Sequence, residues 1–257
     1  MDLGLTDCKA FVAGASRGLG KACAKALAGE GARVFICSRN AGETAKAAAE
    51  IGAAGFSAAD LSRPADVERV IAQALAELNG LDILVTNAGG PPTGAFEAAG
   101  DADWDIAYQL NLMSAVRLIR AALPALKASG RGRVVNLTGY GVKEPMSNLV
   151  VADAVRAGVT VMAKTIASDL APFGITVNNI APGPIRTDRL TEIHAARAKG
   201  LDITLDEQLR RFSATIPVGR LGEPKEIGDL CAYLCSIQAA YLTGQSIVVD
   251  GGINRAI

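Results

Sequence analysis

Three glycines stand at the spacing G-x-x-x-G-x-G in Ala13-Gly14-Ala15-Ser16-Arg17-Gly18-Leu19-Gly20, between a short apolar run and an alanine-rich segment of helical pattern. Each has a separate task in such a turn: Gly14 permits a tight bend, Gly18 lets backbone approach a pyrophosphate, and Gly20 lets the helix pack on the strand. The helix that follows offers unpaired N–H groups and the positive end of its dipole, with Ser16 and Leu19 in the same loop. The chemistry implied is the cradling of a dinucleotide, at a spacing different from the G-x-G-x-x-G of long dinucleotide folds.

A second group of residues bears on which dinucleotide. An acid at the end of the second strand would bond a ribose 2′-hydroxyl and repel a 2′-phosphate. That strand ends Cys37-Ser38-Arg39-Asn40, with no acid. Arg39 is able to pair with a phosphate, and Arg17 in the glycine loop to join it. With Ser38 beside them, these residues predict NADP(H) in preference to NAD(H).

The elements that must hold these residues are legible as apolar runs. They fall at Ala10–Ala13, Val34–Cys37, Ile83–Thr86, Val134–Leu137, Ile175–Ile180 and Ile247–Val249, with a weaker one near Gly55–Ala59. Segments of helical length separate them, the alternation of a mainly parallel sheet covered on both faces. The runs are continuous rather than alternating, as strands buried on both faces are. Ile227, Leu230, Cys231, Leu234 and Cys235 form one helical stripe, opened by Pro224 in the first turn. The pattern over Val151–Leu170 is apolar on more than one side, which suits burial against another copy of the chain or deep within its own.

Composition sets bounds. With 257 residues, no linker and no charge run, one domain is expected over 1–257. A formal net charge of zero gives no long-range attraction to nucleic acid or to an anionic membrane. No segment resembles a signal peptide or a membrane span. The five cysteines, Cys8, Cys23, Cys37, Cys231 and Cys235, lack a C-x-x-C spacing and read as reduced core residues, so a cytoplasmic setting is expected. The single histidine, His194, cannot anchor a His-rich metal site and is expected on a solvated helix; no metal is expected.

Further motifs follow in order. Thr86-Asn87-Ala88-Gly89 ends an apolar strand, Asn111 lies in Leu110-Asn111-Leu112, Pro182-Gly183 follows Ile175–Ile180, and Thr243-Gly244-Gln245 and Asp250-Gly251-Gly252 flank the last strand. Across essentially the whole chain this series resembles the short-chain dehydrogenase/reductase family, notably its 3-oxoacyl-carrier-protein reductase-like branch. The resemblance implies a single Rossmann-like α/β domain, a three-layer sandwich whose seven parallel strands run 3-2-1-4-5-6-7. It also implies that Asp60 and Leu61 meet the adenine, that Asn87, Ala88 and Gly89 line the adenosine ribose side, and that Pro182, Gly183, Ile185 and Thr187 frame the nicotinamide. A homotetramer is expected on the same ground.

The family's catalytic pattern is a serine after the fifth strand, then a tyrosine and a lysine four residues apart. Counted back from Ile175-Thr176-Val177-Asn178, these positions fall on Gly139, Ala152 and Arg156; only the family's asparagine, Asn111, is present as expected. Other groups stand near. Thr138 is able to point a hydroxyl at a substrate oxygen, Tyr140 and Lys143 lie in the loop after the fifth strand, and Arg156 is suited to stabilise negative charge or hold ribose. A proton source in that loop, Lys143 or Tyr140, is expected with Thr138 and Asn111 assisting, water being the alternative. The segment at about 187–215 resembles the family's substrate lid. Its Leu190, Ile193, Leu201, Ile203, Leu205 and Phe212 suit either an apolar substrate pocket or a packed helical hairpin, while Gly90-Pro91-Pro92 would stiffen the cleft wall. Two functions remain open: a divergent NADP(H)-dependent oxidoreductase acting on a carbonyl or alcohol substrate, 3-oxoacyl-like substrates included, or a non-catalytic cofactor-binding or regulatory protein.

Overall fold

A computed structural model describes residues 2–91 and 93–256; Pro92 lies outside them. Seven strands form one sheet: β1 (Lys9–Val12), β2 (Arg33–Ser38), β3 (Gly55–Ala58), β4 (Ile83–Thr86), β5 (Arg133–Leu137), β6 (Thr176–Pro182) and β7 (Ser246–Val249). Their order is β3-β2-β1-β4-β5-β6-β7, and every pairing is parallel. The apolar runs of the sequence match these strands to within a residue or two at most ends. Burial on both faces is complete in β4 and β6, which is why neither alternates.

The helices are α1 (Gly18–Gly29), α2 (Ala41–Ile51), α3 (Pro64–Leu78), α4 (Asp101–Ala107), α5 (Ser114–Ser129), α6 (Val150–Leu170), α7 (Asp188–Gly200), α8 (Leu205–Ser213) and α9 (Pro224–Cys235). One core lies between the sheet and α1, α2 and α9, and holds Leu27, Ile36, Ile180 and Ile227. The other lies beneath α3, α5 and α6, around Phe11, Leu84, Leu118 and Val177. The result is the three-layer α/β sandwich expected. In α9, a Cβ built at Gly228 would sit 2.6 Å from the Ala22 carbonyl oxygen, so the helix backbones meet there. All five cysteines are free and buried, as the sequence suggested.

The strand order reverses at β1 and β4, whose neighbours continue to opposite sides. The crevice at the carboxyl ends of such a pair is where open α/β sheets bind ligands. The β1–α1 and β4–α4 loops both open there. Between α4 and α5 the chain forms a π-helical stretch, Tyr108–Met113, a local widening found often at functional sites.

Candidate active site

The glycine loop runs from β1 into α1. Gly14 and Gly18 adopt φ of +59° and +57°, a region that L side chains rarely enter. Gly20 is constrained by contact instead: a Cβ there would stand 2.4 Å from the Gly14 carbonyl oxygen. Asn87, at the end of β4, donates from Nδ2 to the Gly14 carbonyl (3.0 Å) and so ties the two loops together. No side chain caps α1, and its first turn holds no acid. Its N–H groups therefore face the crevice without a partner from their own helix.

The crevice is a cleft of about 450 Å³. It is lined by Gly14, Ser16, Arg17, Gly18 and Leu19 of the loop, by Ser38 and Arg39 after β2, by Leu61, and by Asn87, Ala88 and Gly89 after β4. Thr138, Asn111, Arg156 and Thr187 line its other end. Asp60 faces a smaller adjoining cavity with Arg39, Ser62 and Gln109. There its carboxylate accepts from the Ser62 hydroxyl at 2.7 Å.

Several expected residues sit elsewhere. Gly20 stays behind the loop as a packing position, the task its spacing implied, and does not line the cleft itself. Pro182, Gly183 and Ile185 do not line the cleft. A Cβ at Gly183 would lie 2.4 Å from that of Asp250, so this glycine serves the approach of β6 to the chain after β7. Ile185 is buried in the core and bridges to Gly222.

The largest departures concern the loop after β5. Tyr140 does not line the cleft; it is half-buried, and burial with the nearby Asp153 and Asp250 carboxylates pushes its phenol above the ordinary tyrosine value. Lys143 is exposed and likewise off the cleft. The structure thus does not bring the expected proton source to the reacting end. Thr138 does reach the cleft, but its hydroxyl donates to the Ile180 carbonyl at 3.1 Å, leaving its oxygen free only to accept. Ala152 is buried and brings no polar group.

Arg156 occupies the space that glycine at 139 leaves open: a Cβ at Gly139 would lie 3.1 Å from Nη1. Among the described residues its guanidinium makes no ion pair. Burial pulls its pKa below the ordinary arginine value, the Asp153 carboxylate opposes that, and the Arg189 guanidinium adds to it. Asp153, one residue past Ala152, is buried and accepts from the Met146 N–H at 2.9 Å; burial holds its carboxyl above the usual aspartate range. Asn111, in the π-helical stretch, donates from Nδ2 to the Gly89 carbonyl at 2.9 Å. Its Oδ1 is buried with no hydrogen-bond partner among the described residues, a rare condition that calls for a donor from outside the fold.

The lid also differs. None of Leu190, Ile193, Leu201, Ile203, Leu205 and Phe212 lines the cleft; α7 and the residue before it present Thr187, Asp188, Arg189 and Glu192 instead. Leu190, Ile193, Ile203, Leu205 and Phe212 are partly buried, as in a packed hairpin of α7 and α8, while Leu201 is exposed. His194, expected in solvent, is 2% exposed. It stacks on Phe212 at 4.3 Å between ring centroids and meets Gln208 Nε2 at 3.2 Å. The helix around it is rich in charged residues, so nothing local signals that α8 covers it. Glu43 and Asn40, also unforeseen, line the cleft beside Arg39 because α2 begins there with the Asn40 side chain accepting from the Glu43 N–H.

Residues 14–254 match the family described as enoyl-(acyl carrier protein) reductase. The chain belongs to the short-chain dehydrogenase/reductase family. Within this family it is 35% identical to 3-oxoacyl-[acyl-carrier-protein] reductase FabG of Vibrio cholerae, over 95% of this chain and 96% of that one. It is also 35% identical to nodulation protein G of a Rhizobium species, over 97% and 98%. The crystal structure of L-sorbose reductase from Gluconobacter frateurii, complexed with NADPH and L-sorbose, superposes with a TM-score of 0.96 at 28% identity and full coverage of both chains. YwfH, an NADPH-dependent reductase involved in bacilysin biosynthesis, does so at 0.91 and 30% identity, over 97% of this chain and 99% of that one. The likeness therefore extends over all three layers of the fold.

Proposed function

We propose that the chain is an NADP(H)-dependent oxidoreductase that interconverts a carbonyl and an alcohol, with water in place of the absent tyrosine. The observation that carries this reading is Arg156: the residue at the lysine position still reaches the cleft, and it stands there as a cation with no carboxylate partner among the described residues.

The residues present fit the cofactor. Space lies open above Gly18, where an added Cβ would meet only the Thr187 methyl, at 3.7 Å, and the uncapped start of α1 faces it. Gly14, Ser16, Arg17, Gly18 and Leu19 would hold the pyrophosphate, with Gly20 and Asn87 fixing the loop. Ser38, Arg39 and Arg17 would take the 2′-phosphate; neither arginine is ion-paired among the described residues. Leu61 would meet the adenine with Asp60 at its edge, Ala88 and Gly89 the adenosine ribose, and Thr187 the nicotinamide side. When bound, the reduced nicotinamide supplies a hydride.

The chain's own residues then have three tasks. Arg156 meets the negative charge that grows on the carbonyl oxygen as its π electrons move there. Asn111 Oδ1, lacking a donor, holds a water that delivers the proton to that oxygen. Thr138, whose own proton is given to the Ile180 carbonyl, accepts from the hydroxyl of the alcohol formed. The sum is hydride to carbon and proton to oxygen, which converts C=O to CH–OH and leaves the water as hydroxide for solvent to reprotonate.

Ala152 favours a second reading, a cofactor-binding or regulatory protein without turnover. A screen of NADPH oxidation against ketones, quinones and 3-oxoacyl thioesters separates the two: turnover weakened by Arg156→Gln supports the enzyme, and tight cofactor binding with no oxidation supports the alternative. We further place the protein in the cytoplasm, where its five free thiols stay reduced. We assign it four subunits, the number following from the family resemblance.

A further inference from the structure

We propose that the reacting end of the cleft is an anion subsite made by Arg156 and Arg189, and that the substrate is a short oxo acid bearing a free carboxylate beside its carbonyl. The inference rests on the reductase reading above and narrows its substrate class. Both guanidiniums line the cleft. Arg156 reaches in from α6 over Gly139, and Arg189 reaches in from the first turn of α7 over Gly90, where a Cβ would lie 3.4 Å from its Nε. The two are near enough for Arg189 to depress the Arg156 pKa.

Arg156 is half-buried and Arg189 exposed; two like charges brought together in this way repel each other, and the arrangement is stabilised by an anion between them. Among the described residues Asp153 acts on Arg156 as a counter-charge, but its carboxylate accepts from the Met146 N–H, forms no ion pair with Arg156 and does not line the cleft. Asp188 and Glu192 also line the cleft and, like Arg189, are exposed; neither forms an ion pair with either arginine. A guanidinium presents paired N–H donors in one plane, which matches a carboxylate. A 2-oxo acid offers its carbonyl oxygen and one carboxylate oxygen on the same edge, so Arg156 can bond both. Arg189 is then free to take the other carboxylate oxygen. The hydride goes to the carbonyl carbon, the π pair to its oxygen, and water gives the proton, its O–H bond breaking to leave hydroxide that solvent reprotonates; the carboxylate is unchanged. A long acyl thioester is disfavoured on two counts: it lacks the charge, and the lid offers the cleft no apolar wall, since Leu190, Ile193 and Phe212 lie off it.

The test is calorimetric titration with oxamate, a 2-oxo acid mimic that cannot be reduced in the same way, and with oxamide, its uncharged counterpart. Both are titrated into the protein alone and into its NADP⁺ complex. We expect oxamate to bind the complex about tenfold or more tightly than oxamide, as a charge-assisted pair is stronger than a neutral one. Arg189→Gln and Arg156→Gln should each abolish that preference, while Arg189→Gln leaves NADP⁺ affinity within about threefold, because the subsite gives Arg189 to the substrate carboxylate and not to the cofactor. Equal binding of the two probes, or an unchanged preference in Arg189→Gln, would overturn the subsite. A larger loss of NADP⁺ affinity in Arg189→Gln would overturn it as well, by assigning that arginine to the cofactor. Failure to bind NADP⁺ at all would instead strike the reductase reading; the oxamate preference of the protein alone would still judge the subsite.

Discussion

Arg39 stands where β2 gives way to α2, exposed, lining the cleft and without an ion pair among the described residues. It shares that place with Glu43, which lies beyond the strand end where a cofactor-selecting acid is sought and so carries no signal in the sequence. If the 2′-phosphate lies against Arg39, Arg39→Asp removes a charge-assisted contact and adds repulsion. NADPH affinity should fall by about 10- to 100-fold while NADH binding holds or improves, a reversal that fluorescence titration of both cofactors would detect. Glu43→Gln should shift the balance the other way, toward NADPH, by removing an acid that lines the cleft beside that phosphate. Arg39 and Arg17 were legible because they occur in or beside motifs of fixed spacing. Arg189 and Glu192 were not, since nothing in a charged helix tells which of its faces turns toward a crevice. Tyr140 and Lys143 illustrate the opposite error: nearness in sequence to β5 placed them by the active site, yet a short 3₁₀ turn at Tyr140–Val142 carries them away from the cleft.

The seat of α1 depends on Gly20. Gly20→Ala would press a methyl group against the Gly14 carbonyl at 2.4 Å, where backbone cannot yield cheaply. Such overpacking costs about 1–3 kcal/mol, so the unfolding temperature should drop by roughly 2–10 °C, with cofactor affinity falling too. Gly29→Ala, at the far end of the same helix with nothing within 4 Å, is the control and should be neutral or slightly stabilising. The hairpin of α7 and α8 carries a pH dependence. Burial, with help from Arg197, lowers the pKa of His194 below the ordinary histidine value. The unfolded chain therefore takes up the proton before the folded one does. Stability is fully present above about pH 6.5 and declines as the pH falls through that value toward the lower folded pKa. Chemical denaturation at neutral pH and at about pH 5 should show this loss, and His194→Gln should reduce it. Solvation of this helix was the natural expectation from its composition. The structure departs from it because α8 folds back and sets Phe212 and Gln208 over the ring.

The sheet was the most legible part of the chain. Its strands are short, apolar and separated by helices, so the period and the alternation agree. Their order, in contrast, followed only from the resemblance, because the sequence of runs alone does not dictate which strands pair. Several apolar side chains remain in solvent on one copy: Val161 is 67% exposed on α6, Ile106 54% on α4 and Tyr108 44% beside it. If four copies assemble, these residues are candidates for burial. Solution scattering at micromolar protein should then give about four times the monomer mass, and Val161→Glu should reduce it by burying a charge without a partner; a monomer at that concentration would refute the assignment.

On the proposed mechanism, turnover without a tyrosine depends on Arg156 to stabilise the oxyanion and on water to supply the proton. NADPH oxidation with a 2-oxo acid, followed spectrophotometrically across about pH 6 to 9 for the wild type and Arg156→Gln, tests both requirements at once. An arginine holds its charge throughout this range and water does not titrate in it, so kcat/KM should be nearly flat with pH. Loss of the guanidinium should lower it by about 10²–10³-fold, as removal of an oxyanion donor does. No oxidation of NADPH by any carbonyl, despite tight binding, would contradict these roles; so would turnover that Arg156→Gln leaves unchanged.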